Sequence, residues 1–536
     1  MPLVSYCQLM RHLFQWAGPP PALPAHQALF SSLPDHAMTP PSRQGAILLS
    51  CTTACALPVL DTNVVGIVLP AISRDLSASF AEITWVVSAY VLCFACLLLP
   101  AGALADRYGR RRLLLSGVTL FALASLACGL APGPRSLYAA RAFQGAGSAL
   151  LLAPALAIIG HTFHEESAKV RAWAAWGALL GLAMVISPLL GGLVGGLLGW
   201  RWAFFMNVLV CALLLAAILR TVPESSDPVP RPLDLPGILL FMIGMFMLTS
   251  ALIVGPDLGW SSTPVLVRVA AGLLIFGVFI RVESRRAHPM LDLSLFRAWP
   301  FVGAVIAMLA YAAAAQVMAT LLPLFLQNGR GLTALMAGVA MLPFSLAMLL
   351  LPQVSRRLAA TLDSRQLLAL GLGVTMIGNL LLSWAAHSAS LPLLVIGMAV
   401  LGSGGGLLNG ETQRAIMGTL PRHRAGMASG ISTTARFSGI LLAFAGLGAV
   451  LAGGTRNALA QWPGAAWPEG FADRVVAGDL DRAVSLLPPE QAESALAIGQ
   501  ASYASGFSLL FLSAALLAGL ATLFVLATMR HQADGS

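Results

Sequence analysis

Runs of mostly apolar residues, each long enough to cross a bilayer, recur along the chain and constrain what it can fold into. A spanning helix needs about 20 such residues. Fourteen runs of that kind fall at 46–71, 82–104, 112–131, 136–159, 170–194, 202–221, 236–255, 265–282, 300–323, 333–355, 366–386, 391–414, 426–451 and 505–528. Short segments carrying Arg, Pro or Gly separate them. Only 10% of the 536 residues are charged, against about 25% in a soluble domain, so the chain cannot cover itself with a polar surface. A soluble enzyme, a disordered chain and a secreted disulfide scaffold are excluded. The solvent for most of this sequence is lipid.

The net charge of +9 is a matter of topology. With the N-terminus placed in the cytoplasm, 21 of the 31 Lys and Arg fall on inner segments and 8 on outer ones, as the positive-inside rule requires. The arginines stand at the ends of apolar runs and are not gathered on one face, as phosphate binding needs, so no nucleic-acid partner is expected. The chain then reads as a multi-pass protein of a bacterial inner membrane with both termini cytoplasmic. Residues 1–44, with Pro19-Pro20-Pro21 and Pro40-Pro41, read as a disordered cytoplasmic tail, and Met38 is an alternative start. Residues 452–500 read as a long, mildly acidic periplasmic loop, with room for short surface helices after Asp473, and 529–536 as a cytoplasmic end.

Charge inside an apolar run is costly and calls for an explanation. Asp61 lies in the outer half of the first run, and Arg141 lies a few residues inside the outer end of the fourth, at compatible depth. The pair is either a static tie between two helices or a carboxylate that exchanges a proton as its exposure alternates. Glu411, near the inner end of the twelfth run, has two readings as well. It pairs with Arg414 or Arg422 at the inner surface, or with Arg436 inside the thirteenth run. Asn63, Gln144, Tyr311 and Gln316 are candidates for a central cavity, with Asn379 and Asn409 beside them. Hydrogen bonding between helices is the alternative for each.

The link between the second and third runs reads Gly102-Ala-Leu-Ala-Asp106-Arg107-Tyr-Gly109-Arg110-Arg111-Arg112. Positive-inside charge accounts for the arginines but not for an acid three residues before a glycine. Gly102 permits close helix approach, Gly109 permits a tight turn, and Asp106 can cap or pair with a neighbouring helix end. The stretch resembles the signature loop of the major facilitator superfamily. Leu60-Asp61-Thr62-Asn63, continuing to Leu69-Pro70, is similar to the first-span motif of that superfamily's fourteen-span drug:proton antiporters, and Trp85-Val-Val-Ser-Ala-Tyr90 fits the same group. Arg141-Ala-Phe-Gln144-Gly145 resembles the fourth-span arginine motif. Ser187-Pro188-Leu-Leu-Gly191-Gly192 resembles the packing motif associated with antiporters, although Ser187, Ala183 and Ala174 stand where that pattern has glycines.

The resemblance implies an all-α membrane protein with the major facilitator fold. Two six-helix bundles (45–221 and 299–528) would flank two inserted central helices (222–298), giving fourteen transmembrane helices. It also implies proton coupling at Asp61 and Arg141 and an inner gate at 102–112. The function expected is export of amphiphilic, cationic or neutral compounds by alternating access while protons enter. Lipid bilayer, substrate and protons are the partners; nothing in the sequence points to a periplasmic adaptor. The proton gradient is the driving force, with no enzyme chemistry, cofactor or metal expected. No Walker motif occurs, and Gly402-Ser-Gly404-Gly405-Gly406 follows a span start rather than a strand. Cys93 and Cys96 lack a second ligand pair. Two competitors remain: a proton-coupled uptake carrier on the same fold, kept open by the imperfect Ser187 motif, and a membrane sensor that no longer transports, which would need an output domain.

Overall fold

The computed structural model describes residues 41–529, apart from 164, 227–233, 287–292, 389, 420–424 and 463–466. The tail expected over 1–44 lies outside the described residues except at its end, where the first helix begins. Most of the C-terminal end and Arg422 also lie outside them. Among the described residues there is no strand, and fourteen helices are long and apolar enough to cross a membrane.

They are α1 (Pro41–Leu76), α2 (Phe80–Tyr108), α3 (Arg110–Gly129), α4 (Pro134–Thr162), α5 (Glu166–Leu197), α6 (Trp202–Thr221), α7 (Leu235–Leu258) and α8 (Thr263–Glu283). The second group comprises α9 (Trp299–Gly329), α10 (Ala334–Leu358), α11 (Ser364–Ser388), α12 (Leu391–Gly418), α13 (Ala425–Ala460) and α14 (Pro489–Thr528). Helices α1–α6 and α9–α14 form the two bundles; α7 lies against α2 and α13, and α8 packs on α7. Several helices outrun their apolar stretch because polar caps extend them. Ser79 and Glu82 close a capping box on α2, and the Asp234 carboxylate accepts from the Gly237 N–H to cap α7 at 3.1 Å.

The loop expected over 452–500 is shorter. Helix α13 continues to Ala460 and α14 starts at Pro489, leaving 461–488 as the connection. Apolar side chains past the bilayer runs explain the extension. Leu459 of α13 and Ala495 of α14 form a small core with Phe471, Val475, Leu480 and Ala483. Those last four lie on two short helices, Phe471–Ala477 and Leu480–Val484, and Trp467 stacks on Phe471 at 4.3 Å.

Helix α9 is not a uniform α-helix. Two π-turns, Ala312–Gln316 and Phe325–Gly329, interrupt it. Such single-turn bulges often mark functional positions. The second follows Pro323, whose missing N–H already breaks the hydrogen-bond ladder.

A buried ion pair, a basic turn and a sealed seam

Asp61 and Arg141 meet. Both are nearly sealed, at 2% and 1% exposed, and the Arg141 Nη1 donates to Asp61 Oδ2. The other carboxylate oxygen, Oδ1, accepts from Gln144 Nε2 at 2.8 Å and from Asn207 Nδ2 at 2.7 Å. Arg141 also donates through Nε to the Val86 carbonyl at 3.1 Å and through Nη1 to Gln144 Oε1 at 2.6 Å. Its guanidinium lies 4.1 Å from the Tyr90 ring centre, close enough for a cation–π contact. Gln144 donates to Ser125 Oγ at 2.9 Å, and the Tyr90 hydroxyl lies 2.8 Å from that of Ser148. A cluster drawn from α1, α2, α3, α4 and α6 thus satisfies both buried charges, as a buried pair requires.

Glycines let the backbones come this close. A Cβ at Gly145 would strike the Tyr90 backbone, and one at Gly147 would come within 2.8 Å of the Phe121 nitrogen. Gln144 and Asn63, expected at a cavity wall, are turned to hydrogen bonds instead. Gln144 belongs to the ion-pair cluster, and Asn63 Nδ2 donates to the Val59 carbonyl one turn back in α1 at 2.9 Å. Asn207 escaped the sequence reading, although it is the one carboxamide in α6 and polar side chains are rare in such runs.

The 102–112 turn takes one of the two forms expected for Asp106, pairing with a neighbouring helix end, and adds a cap that the sequence did not reveal. Gly109 has φ of +106°, a conformation that favours glycine, and a Cβ there would lie 2.8 Å from the Glu224 carboxylate. Asp106, near the end of α2, pairs with Arg110 at the start of α3, at 2.8 Å to Nη2. It does not cap a neighbour; Glu224, after α6, does. Its oxygens accept from the N–H groups of Arg111 at 3.0 Å and Arg112 at 3.2 Å, where the start of α3 offers unpaired donors and a positive dipole end. Arg111 donates to the Leu219 carbonyl at 2.8 Å. At Gly102 a Cβ would meet nothing within 4 Å, so no close approach depends on it. Arg107 lies over the Tyr108 ring at 5.5 Å.

Call the end of the molecule bearing this turn the basic end. The two bundles are joined toward the opposite, far end. Gln327 Nε2 of α9 donates to the Ile67 carbonyl of α1 at 2.7 Å, Ser73 Oγ donates to the Ala477 carbonyl at 3.0 Å, and Arg482 donates to Ser77 Oγ. The α5 motif lies in this seam. A Cβ at Gly191 would lie 3.0 Å from Ile67 of α1, and one at Gly192 would lie 2.7 Å from the Ala334 carbonyl at the start of α10. Gly338 of α10 abuts the Pro188 carbonyl, and Ser187 turns its hydroxyl back to the Ala183 carbonyl. Ser187 therefore fits where the family pattern has glycine, because its side chain bonds within its own helix. Near the basic end, Cβ atoms at Gly160 of α4 and Gly177 of α5 would meet nothing within 4 Å.

In the second bundle Glu411 pairs with Arg414 and not with Arg436. Arg436 Nη2 instead donates to the Asn409 carbonyl at 3.0 Å, and its guanidinium lies 5.6 Å from the Tyr311 ring. The Tyr311 hydroxyl donates to Asn409 Oδ1 at 3.1 Å. Tyr311 is fully buried, and Gln316 is half-buried on the first π-turn.

Fourteen spanning helices in two six-helix bundles, with an inserted pair and a charge cluster sealed inside the first bundle, define a multi-pass membrane protein of transporter architecture. Residues 53–444 match the profile of the Major Facilitator Superfamily, and the chain belongs to that family. The multidrug resistance protein Stp of Mycobacterium tuberculosis is 34% identical over 393 residues, 73% of each chain. A cephamycin export protein of Amycolatopsis lactamdurans is 38% identical over 308 residues, 57% of this chain and 63% of its own. Among solved structures, a bacterial homologue of the human lysosomal transporter Spinster, in an inward-facing and unoccupied conformation, superposes with a TM-score of 0.60 at 17% identity. That match covers 92% of this chain and 100% of the other, and it is a likeness of fold.

Proposed function

We propose that the protein is a proton-coupled exporter of amphiphilic small molecules, working by alternating access in a bacterial inner membrane with its basic end and both termini cytoplasmic. The observation that carries the coupling is the sealed Asp61–Arg141 pair. A proton on Asp61 removes the negative charge that faces Arg141 and turns an acceptor of three donors into a partial donor. Helices α1, α4 and α6 converge on that one carboxylate, so its charge state acts directly on how they pack. Binding that favours one packing over the other then shifts the equilibrium between openings. The relatives named for resistance and export support the direction of transport.

The far-end seam and the looser basic end fit a conformation closed outside and open toward the cytoplasm. The turn held by Glu224 and the Asp106–Arg110 pair would serve as the inner gate, and the α5 glycines as the outer seal. A groove between α1 and α5, lined by Thr53, Ala56, Leu60, Leu179, Leu182 and Ile186, offers an apolar wall for the substrate. No cofactor or catalytic step enters this mechanism; the proton gradient drives it.

Acid-interior inverted vesicles test the reading with a panel of amphiphilic dyes. Accumulation by the wild type that is lost in Asp61→Asn supports coupled export through Asp61. Accumulation that survives the substitution returns the ion pair to a static role. Absence of accumulation by the wild type across the panel rejects export.

A further inference from the structure

Each bundle holds an arginine inside the membrane, and only one of the two has a carboxylate. Among the described residues no carboxylate lies within 4.0 Å of Arg436. Its protein contacts are the Asn409 carbonyl at 3.0 Å, Asn409 Oδ1 at 3.4 Å and the Tyr311 ring, while its Nε is buried with no hydrogen-bond partner. Glu411 does not compensate it. Two residues on from Asn409, it points about 200° away round α12, and Arg414 occupies it. A cation held in the membrane without a counter-charge is costly, and Arg436 is too far along α13 from either end to reach the interface.

The next residue, Phe437, reaches the first bundle, packing on Phe94 of α2 at 4.3 Å, so this stretch of α13 faces the space between the bundles. Arg436 is partly exposed there. On α9 the π-turn, closed by the Val317 N–H to the Ala312 carbonyl at 3.0 Å, sets Gln316 one turn beyond Tyr311. The Gln316 Oε1 is buried and unpartnered. Tyr311 and Asn409, bonded to each other, hold the guanidinium in place.

We propose that Arg436 binds an anionic group of the transported compound, a carboxylate or an ionised phenol, with Tyr311 and Asn409 as positioning residues. The substrates are then amphiphilic acids and zwitterions, not the cationic or neutral compounds expected from Asp61, which is sealed in a cluster of its own. The substrate anion supplies the counter-charge that Arg436 lacks. This proposal builds on the transporter reading above.

Rhodamine B and its ethyl ester share one ring system and differ in a free carboxylate, so they separate the charge from the body. Binding of each dye to purified protein in detergent is read by fluorescence polarisation. The expected result is that Arg436→Gln weakens rhodamine B by about tenfold or more, the scale of one charged hydrogen bond lost, and leaves the ester unchanged. Arg436→Lys, which keeps the charge, should retain a preference for the acid and shows that position 436 tolerates substitution. Equal loss of both dyes in Arg436→Gln, equal affinity of the wild type for both, or binding of neither overturns the proposal. Detergent binding needs no gradient, so failed accumulation in vesicles would sink proton-driven export and leave the anion site standing.

Discussion

In the first bundle a carboxylate and a guanidinium are sealed together by hydrogen bonds from α2, α3, α4 and α6; in the second, a guanidinium is left with a carbonyl, a ring and an unpartnered nitrogen. The difference follows from packing. Gly145 and Gly147 bring α4 into close backbone contact with α2 and α3. Beside Asn409, Gly410 is exposed, and a Cβ there would meet nothing within 4 Å, although Gly405 and Gly406 one turn back are tightly packed. A closed, neutral cluster suits a switch that changes only by a proton. An open, uncompensated one suits a site that must exchange partners every cycle. On the proposed reading, the two bundles divide proton coupling and substrate binding between them.

The largest effect that would break this contrast is at Asp61. Asp61→Asn keeps the shape but strands Arg141, and removing one partner of a buried pair costs about 3–5 kcal/mol. We expect a marked drop in the unfolding midpoint in detergent together with loss of proton-driven accumulation. A variant that kept wild-type stability would show that the cluster is not closed. Next come the two glycines. Gly145→Ala drives a methyl into the Tyr90 backbone and should cost about 1–3 kcal/mol by overpacking. Gly410→Ala meets no neighbour and should be neutral or gain up to about 1 kcal/mol from helix propensity. Equal destabilisation of the two by thermal unfolding would erase the packing difference between the bundles.

The sequence made the outline legible for a physical reason: lipid admits few solutions, so apolar run length sets the number of helices, and a charge within a run stands out. Asp61 and Arg141 were found that way, and so was Arg436. Side-chain direction was not legible. Asn63 and Gln144 have the residue type of a cavity wall, yet one bonds to its own helix and the other to the ion pair, because a helix rotation of a few tens of degrees decides which. Glu224 lies outside any motif, and its partner N–H groups are 113 and 112 residues away. The π-turns of α9 leave no mark beyond Pro323. Asn207 could have been caught: an amide alone among apolar neighbours in α6 needs a partner, and the only question was which carboxylate.

That missed residue gives a finer test. Asn207→Ala removes one of three donors to Asp61 and should cost about 1–2 kcal/mol, since a hydrogen bond to a charged group is lost but such bonds are worth less within membranes. Because α6 reaches the carboxylate through this amide alone, the variant should also shift the pH midpoint of dye accumulation. An unchanged pH profile at reduced stability would make Asn207 a structural tie only.

The smallest effect is expected at the other buried acid. Glu411 resembles Asp61 in burial, its side chain being 2% exposed, but its partner Arg414 is 51% exposed. When Glu411→Gln removes the charge, Arg414 can turn to water, so the penalty that strands Arg141 does not arise. The loss should stay below about 1 kcal/mol, as for exposed ion pairs, with accumulation near wild type. The decisive quantity is therefore the difference between Asp61→Asn and Glu411→Gln in the same thermal-unfolding and vesicle measurements. Similar losses would mean that burial of the acid alone sets the cost; a large gap would place the cost in the stranded cation, the property on which the proposed switch at Asp61 depends.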